Sequence, residues 1–152
     1  MSDTANLPPK LAEIIEDFSW VNDRRERSEM LIYYADQFES VPEEVATRPF
    51  PEEHHVNYCE SDAYVWGTQQ EDGTMQYYFA VENPQGLSAM AMSAILAQTI
   101  NGLPPEQIVE IDTDIVLDIF GKDVSMGKGQ GLMGIVGMVV DYARQNLKRE
   151  SE

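Results

Sequence analysis

The chain has 152 residues, with 27 acidic against 10 basic side chains, a formal net charge of −17 and one cysteine. That length suits a single domain able to bury a core without disulfide staples. The charge argues against nucleic acid or an anionic membrane as partner, because both repel an acidic surface. No apolar run approaches the roughly 20 residues that cross a bilayer. The opening Met1-Ser2-Asp3-Thr4-Ala5-Asn6 lacks the basic and apolar regions of a signal peptide, so a cytoplasmic protein is expected. A reducing compartment also lets a lone thiol persist. The acid excess reads either as a solvation device, as in a saline cytoplasm, or as a docking face for a basic protein.

In chain order, residues 1–9 are expected as a flexible tail. Pro8-Pro9 opens a helix whose Leu11, Ile14, Ile15 and Phe18 share one apolar face. Asn22 or Asp23 caps a second helix with a stripe of Met30, Leu31, Tyr34, Ala35 and Phe38. Arg24, Arg25 and Arg27 crowd its first turns against the helix dipole, so acidic neighbours such as Asp23 and Glu26 are expected to hold them. Residues 39–58 show no sustained periodicity and read as a surface loop with a short extended piece near its end. Tyr64, Val65 and Trp66 then favour a strand. A turn at Glu71-Asp72-Gly73-Thr74 leads into a second strand, from Met75 to Val81, giving a β-hairpin with Asp-Gly at its tip.

Asn83-Pro84 ends the hairpin and opens a helix from about Gln85 to Ile100, apolar almost all round and therefore expected at the centre of the core. Asn101-Gly102 stops it. Short helices follow from Pro104-Pro105 and from Thr113 or Asp114 to Phe120, the latter closed by Gly121. The glycine-rich stretch Val124–Gly131 reads as a flexible turn; its spacing is not that of a P-loop, so a nucleotide site is weakly supported. The last helix carries Leu132, Ile135, Val136, Val139, Val140 and Ala143 on one face, and residues 148–152 are expected as a C-terminal tail.

Cys59 is the candidate reactive residue. A single thiol cannot form an internal disulfide, and a metal site would need further ligands, which leaves thiol chemistry or packing. A lone cysteine is commonly a small buried hydrophobe. The prolines and charged residues leading up to Cys59 suit an exposed loop better than a core strand.

The order of elements, with Cys59, Ser61, Val65 and Trp66, then Pro104, Pro105, Ile108 and Val109, then Lys128, Gln130, Gly131 and Leu132, resembles the SufE family over roughly residues 11–147. Tyr58 stands where that family has glycine, Lys128 where it has arginine, and the chain carries two extra residues between Ser61 and Val65. The resemblance implies one α+β domain over 1–152, with an antiparallel sheet of about three strands and helices packed on one face. It also implies a sulfur acceptor and activator of a cysteine desulfurase, a persulfide carrier rather than a stand-alone enzyme. On that resemblance, Cys59 is expected to take the sulfur and pass it toward an iron–sulfur cluster scaffold. Ser61, Trp66, Lys128, Gln130 and Gly131 are then the docking or supporting residues, and no cofactor or metal is implied. The attacking group must be a thiolate, and His54 and His55 are the nearby residues in sequence that could assist it.

Two other functions fit the residues. One is a cysteine-nucleophile hydrolase using Cys59 with His54 or His55, though groups so close on one loop rarely converge and no orienting third group is evident. The other is a non-catalytic adaptor in which Cys59 is buried filler.

Overall fold

The computed structural model describes residues 6–151, and side chains through residue 147. Helix α1 (Pro9–Ser19) and helix α2 (Arg24–Ala35) precede a hairpin of β1 (Ala63–Gln69) and β2 (Met75–Val81). Helices α3 (Leu87–Ile100), α4 (Pro105–Ile108), α5 (Ile115–Phe120) and α6 (Met126–Ser151) follow. This is an α+β fold. Residues 1–5 and 152 of the expected tails lie outside the described residues; within them, Leu7 packs into the core and α6 continues to Ser151.

Helix α3 is the centre of the core. Met92, Ile95, Leu96 and Ile100 are fully enclosed, as its all-round apolar sequence requires. Helix α1 turns Leu11, Ile15 and Phe18 inward, and Asp23 caps α2 by accepting from the Arg25 N–H at 3.0 Å. The arginines of α2 are held by groups other than those expected. Arg24 pairs with Asp123, Arg25 with Glu29, and Arg27 donates to the carbonyl oxygen of Ile119 at 2.7 Å. The start of α2 lies against the end of α5, so Arg27 meets carbonyls at the negative end of that helix.

The sheet has two antiparallel strands, with Ala63 opposite Val81 and Trp66 opposite Tyr78. The expected third strand is replaced by shorter pieces that satisfy both edges. Along β2, Met75 exchanges hydrogen bonds with Gly102 and Leu103, the Asn101 side chain accepts from the Tyr77 N–H at 2.7 Å, and Val41 donates to Phe79. Along β1, Val56 donates to Ala63 and His55 forms an isolated bridge with Tyr64. Pro49 and Pro51 cannot donate to a ladder, and residues 52–54 close into a 3₁₀ turn, so no third strand extends there.

Alternation along the strands sorts the hairpin into two faces. Ala63, Val65, Met75, Tyr77 and Phe79 turn toward the helices. Trp66 and Ala80 turn the other way, into a smaller cluster with Val41, Phe50, Tyr64 and Tyr78 under the loop that follows α2.

Candidate functional site

Cys59 sits at the tip of a loop closed at its base. The Val56 N–H donates to Ala63 O at 2.9 Å, and Asp62 N–H to Cys59 O at 3.2 Å. The N–H groups of Glu82 and Asn83 donate to the carbonyls of Asp62 and Ser61. The His55 Nε2 lies 3.2 Å from Asp62 Oδ1, a side-chain tie across the same base. Two residues of the loop have left-handed backbone, Asp62 at φ 50° and Tyr58 at φ 62°. Asp tolerates this region, but a bulky aromatic rarely does, so Tyr58 adopts the conformation that glycine takes without cost. Tyr58 is 82% exposed, while the next residue, Cys59, is half-buried.

The inner wall against which the loop rests is α6. The stretch expected as a flexible turn is helical from Met126, because Ser125 caps it: its hydroxyl accepts from the Lys128 N–H at 3.3 Å and its carbonyl from Gly129 at 2.8 Å. Glycines at 127, 131 and 134 then lie on one face of the helix, at the i, i+4, i+7 spacing. A Cβ at Gly131 would come within 3.1 Å of the Cys59 Cα and 3.3 Å of Tyr58 O, and one at Gly134 within 2.7 Å of Val56. These glycines serve close approach: the loop backbone lies directly on the helix backbone. On the other side Gly86 makes room for a side chain: a Cβ there would stand 2.8 Å from that of Ser61.

Cys59 is half-buried and lines a pocket of about 210 Å³ between its own loop and the first turns of α3 and α6. Residues Gly86 to Ala89 contribute the start of α3, and Gly127, Lys128 and Gly131 the start of α6. No side chain caps α3, whose first residues line the pocket, and the Glu60 carboxylate lines it as well. The pocket thus lies between the N-terminal turns of two helices, of 14 and 26 residues. Lys128 is the one cationic side chain lining the pocket among the described residues. Leu87, 42% exposed, lines the pocket, and Tyr58 and Met126, each next in sequence to a lining residue, are exposed apolar side chains, Met126 at 80%.

Of the residues singled out in the sequence, Cys59, Ser61, Lys128 and Gly131 meet in this pocket. Gln130 is exposed on α6 and does not line it. Trp66 is 6% exposed, yet it lies on the opposite face of the hairpin, its ring 5.1 Å from those of Phe50 and His54. Strand alternation puts it there: three positions from Ala63, it faces away from the helices. His54 approaches Tyr142 Oη at 2.7 Å and Val65 O at 3.1 Å. His55 turns to Asp62, and neither imidazole lines the Cys59 pocket. Sequence reading missed Gly86, Gly127 and Gly134 and the uncapped start of α3. The Ser125 cap and the glycine spacing were the available signals for the α6 part. Among the described residues no cluster of three or more His, Cys, Asp or Glu side chains could hold a metal ion, and no helix is long and apolar enough to cross a membrane.

The family described as SufE, the Fe-S metabolism associated domain, matches residues 12–143. An uncharacterized SufE-like protein of Synechocystis is 31% identical over 137 residues, covering 89% of this chain and 80% of that protein. A SufE-like protein 1 of Arabidopsis thaliana, named as chloroplastic/mitochondrial, is 25% identical over 134 residues, 88% of this chain but only 34% of that longer protein. The solution structure of a hypothetical protein from Thermus thermophilus superposes with a TM-score of 0.71 at 23% identity, covering 93% of this chain and 98% of that one, which shows the shared fold. The match over most of its length places this chain in the SufE family, the Fe-S metabolism associated domain.

Proposed function

We propose that the protein accepts sulfur on Cys59 from a cysteine desulfurase, stimulates that enzyme by clearing its persulfide, and passes the sulfur toward an iron–sulfur cluster scaffold. The observation that carries this reading is the placement of the chain's one thiol, half-buried in a pocket where two helix N-termini converge. In the transfer, the Cys59 thiolate attacks the outer sulfur of the partner's cysteine persulfide. A sulfur–sulfur bond forms to Cys59, the partner's own sulfur–sulfur bond breaks, and its cysteine leaves as a thiolate. No outside oxidant or reductant is needed. The new persulfide anion keeps the same electrostatic setting, and the pocket walls limit access to it by other thiols.

Lys128 and the apolar rim of Tyr58, Leu87 and Met126 form the proposed docking surface, with Gly131 and Ser61 fixing the loop from either side. Gln130, exposed one residue before Gly131, is assigned to the same surface. Trp66 supports the hairpin from its far face. A reducing compartment such as the cytoplasm suits a carrier with a free thiol.

The test is incubation with a cysteine desulfurase and free cysteine, followed by intact mass measurement. The protein should gain sulfur, the Cys59→Ser variant should gain none, and the melting temperatures of the two should nearly coincide, since one atom of a half-buried side chain changes. A serine variant that stimulates desulfurase turnover as well as the parent removes Cys59 from the role.

A further inference from the structure

The loop that carries Cys59 is tied at its base by two side chains that lie outside the pocket. His55 stands just before the loop and Asp62 at its end, with the His55 Nε2 3.2 Å from Asp62 Oδ1. The other ring nitrogen, Nδ1, lies 3.6 Å from Glu52 Oε2. Among the described residues neither carboxylate forms another ion pair. The Tyr64 ring packs on the imidazole at 4.9 Å, and burial together with Glu52, Asp62 and Glu82 raises the ionisation of its hydroxyl. Glu82 is already paired, with Arg48 at 2.9 Å. The imidazole therefore faces two carboxylates that have no other cation. A neutral ring carries one N–H and serves one of them, whereas the imidazolium carries two and serves both.

Asp62 passes this tie to the backbone of the thiol. Its N–H donates to Cys59 O at 3.2 Å, and its carbonyl accepts from the Glu82 N–H at 3.1 Å. With φ at 50° it holds a left-handed conformation that persists only where the surroundings enforce it. The Asp62 side chain is 61% exposed and that of His55 21%, so the ring is the anchored member of the pair. Its backbone is fixed too, through the bridge to Tyr64 at the start of β1.

We propose that His55 is a positioning residue for Cys59. By holding the Asp62 carboxylate it keeps the carbonyl side of the Cys59 turn against the end of β2, most firmly as the imidazolium. The loop then loosens as pH rises through the range, roughly 5 to 8, in which imidazoles lose their charge. As a step in sulfur acceptance this rests on the function proposed above; the coupling itself is measured without it.

The test follows the His55 ring and the backbone amides of residues 59–62 by NMR across that pH range. In the parent, the amides of Cys59 and Asp62 should shift along the titration curve of the His55 ring. The Cys59→Ser variant, in which no thiol titrates, should show the same curve at residue 59. Asp62→Asn removes the charge with a residue that tolerates the left-handed turn. In it the His55 ring should still titrate while the Cys59 amide no longer follows. His55→Gln should abolish the response with the His54 ring titrating as before. Labelling of Cys59 by a pyridyl disulfide should be faster in Asp62→Asn than in the parent at the acid end, by up to about fivefold, the most that an exposed ion pair supports. The ratio should fall toward one at the alkaline end. A Cys59 amide that ignores the His55 titration, or follows it equally in Asp62→Asn, overturns the proposal, as does a labelling ratio that is flat with pH. Sulfur acceptance is assayed separately on the same proteins: its absence beside an intact coupling counts against the carrier role alone, and its presence without the coupling counts against His55 alone.

Discussion

Successive residues of β1 face two different coverings, and the contrast explains why the site lies where it does. On the helix side, the Cys59 loop is held against α6 and α3 by the absence of side chains: Gly131 lets backbone meet backbone, and Gly134 and Gly86 make room for Val56 and Ser61. On the far side, Trp66, Phe50, Tyr64 and His54 hold the long loop to the sheet by ring contacts. Ring burial stabilises without fixing a backbone to within tenths of an ångström. Glycine contact does the reverse: it contributes little burial but sets the position of the thiol. Stability and reactivity should therefore respond to different substitutions.

The largest stability effect is expected on the aromatic face. Trp66→Ala should cost about 3–5 kcal/mol, the usual range for emptying a buried aromatic site. Sulfur acceptance by the folded fraction should persist, because Trp66 does not line the Cys59 pocket. Thermal melting combined with single-turnover sulfur transfer checks both halves; loss of transfer at full foldedness would break the division between the faces.

Gly131→Ala tests the other side. The added methyl meets Cys59 and Tyr58 at 3.1–3.4 Å, so overpacking of about 1–3 kcal/mol opposes a helix-propensity gain of about 1 kcal/mol, and the loop must shift. The alkylation rate of Cys59 should change even where the melting temperature barely moves. Gly137→Ala is the control: a Cβ there has nothing within 4 Å, so the variant should be stabilised by up to about 1 kcal/mol with the alkylation rate unchanged.

Tyr77 ties the helix side together, its hydroxyl donating to Val139 O at 2.8 Å from within the core. Burial raises its ionisation well above the ordinary tyrosine value of about 10. A group whose folded value is raised stabilises fully below the unfolded value and loses that stabilisation as pH rises, so the protein should weaken above about pH 10. Tyr77→Phe should flatten part of that alkaline loss while costing about 1 kcal/mol at neutral pH. Tyr34 and Tyr142 are also raised by burial and account for further slope. Denaturant melts between neutral and alkaline pH provide the measurement.

The smallest stability change belongs to Lys128, exposed at the pocket mouth. Lys128→Glu should leave stability within about 0.5 kcal/mol yet weaken desulfurase binding, while Lys128→Arg preserves or improves it, since the guanidinium keeps the charge and adds donors. Equal affinities for Lys128→Glu and the parent would remove Lys128 from the docking surface.

The sequence by itself determined the hairpin and the helices except the two ends of α6, because apolar periodicity, caps and the Asp72-Gly73 turn act over a few residues. It also determined that α3 is central and that Cys59 is the only thiol available. Only the tertiary structure decided which side of each strand packs against the helices, since a one-residue choice of parity separates Val65, toward them, from Trp66, away from them. The same holds for the glycines before Leu132. Along the chain they suggest flexibility, and their role is visible only once the Cys59 backbone lies 3.1 Å from where a side chain at Gly131 would begin. The missing third strand has the same origin: its hydrogen bonds are supplied by Asn101, Gly102, Leu103 and Val41, residues brought to the edge of β2 by packing rather than by strand propensity.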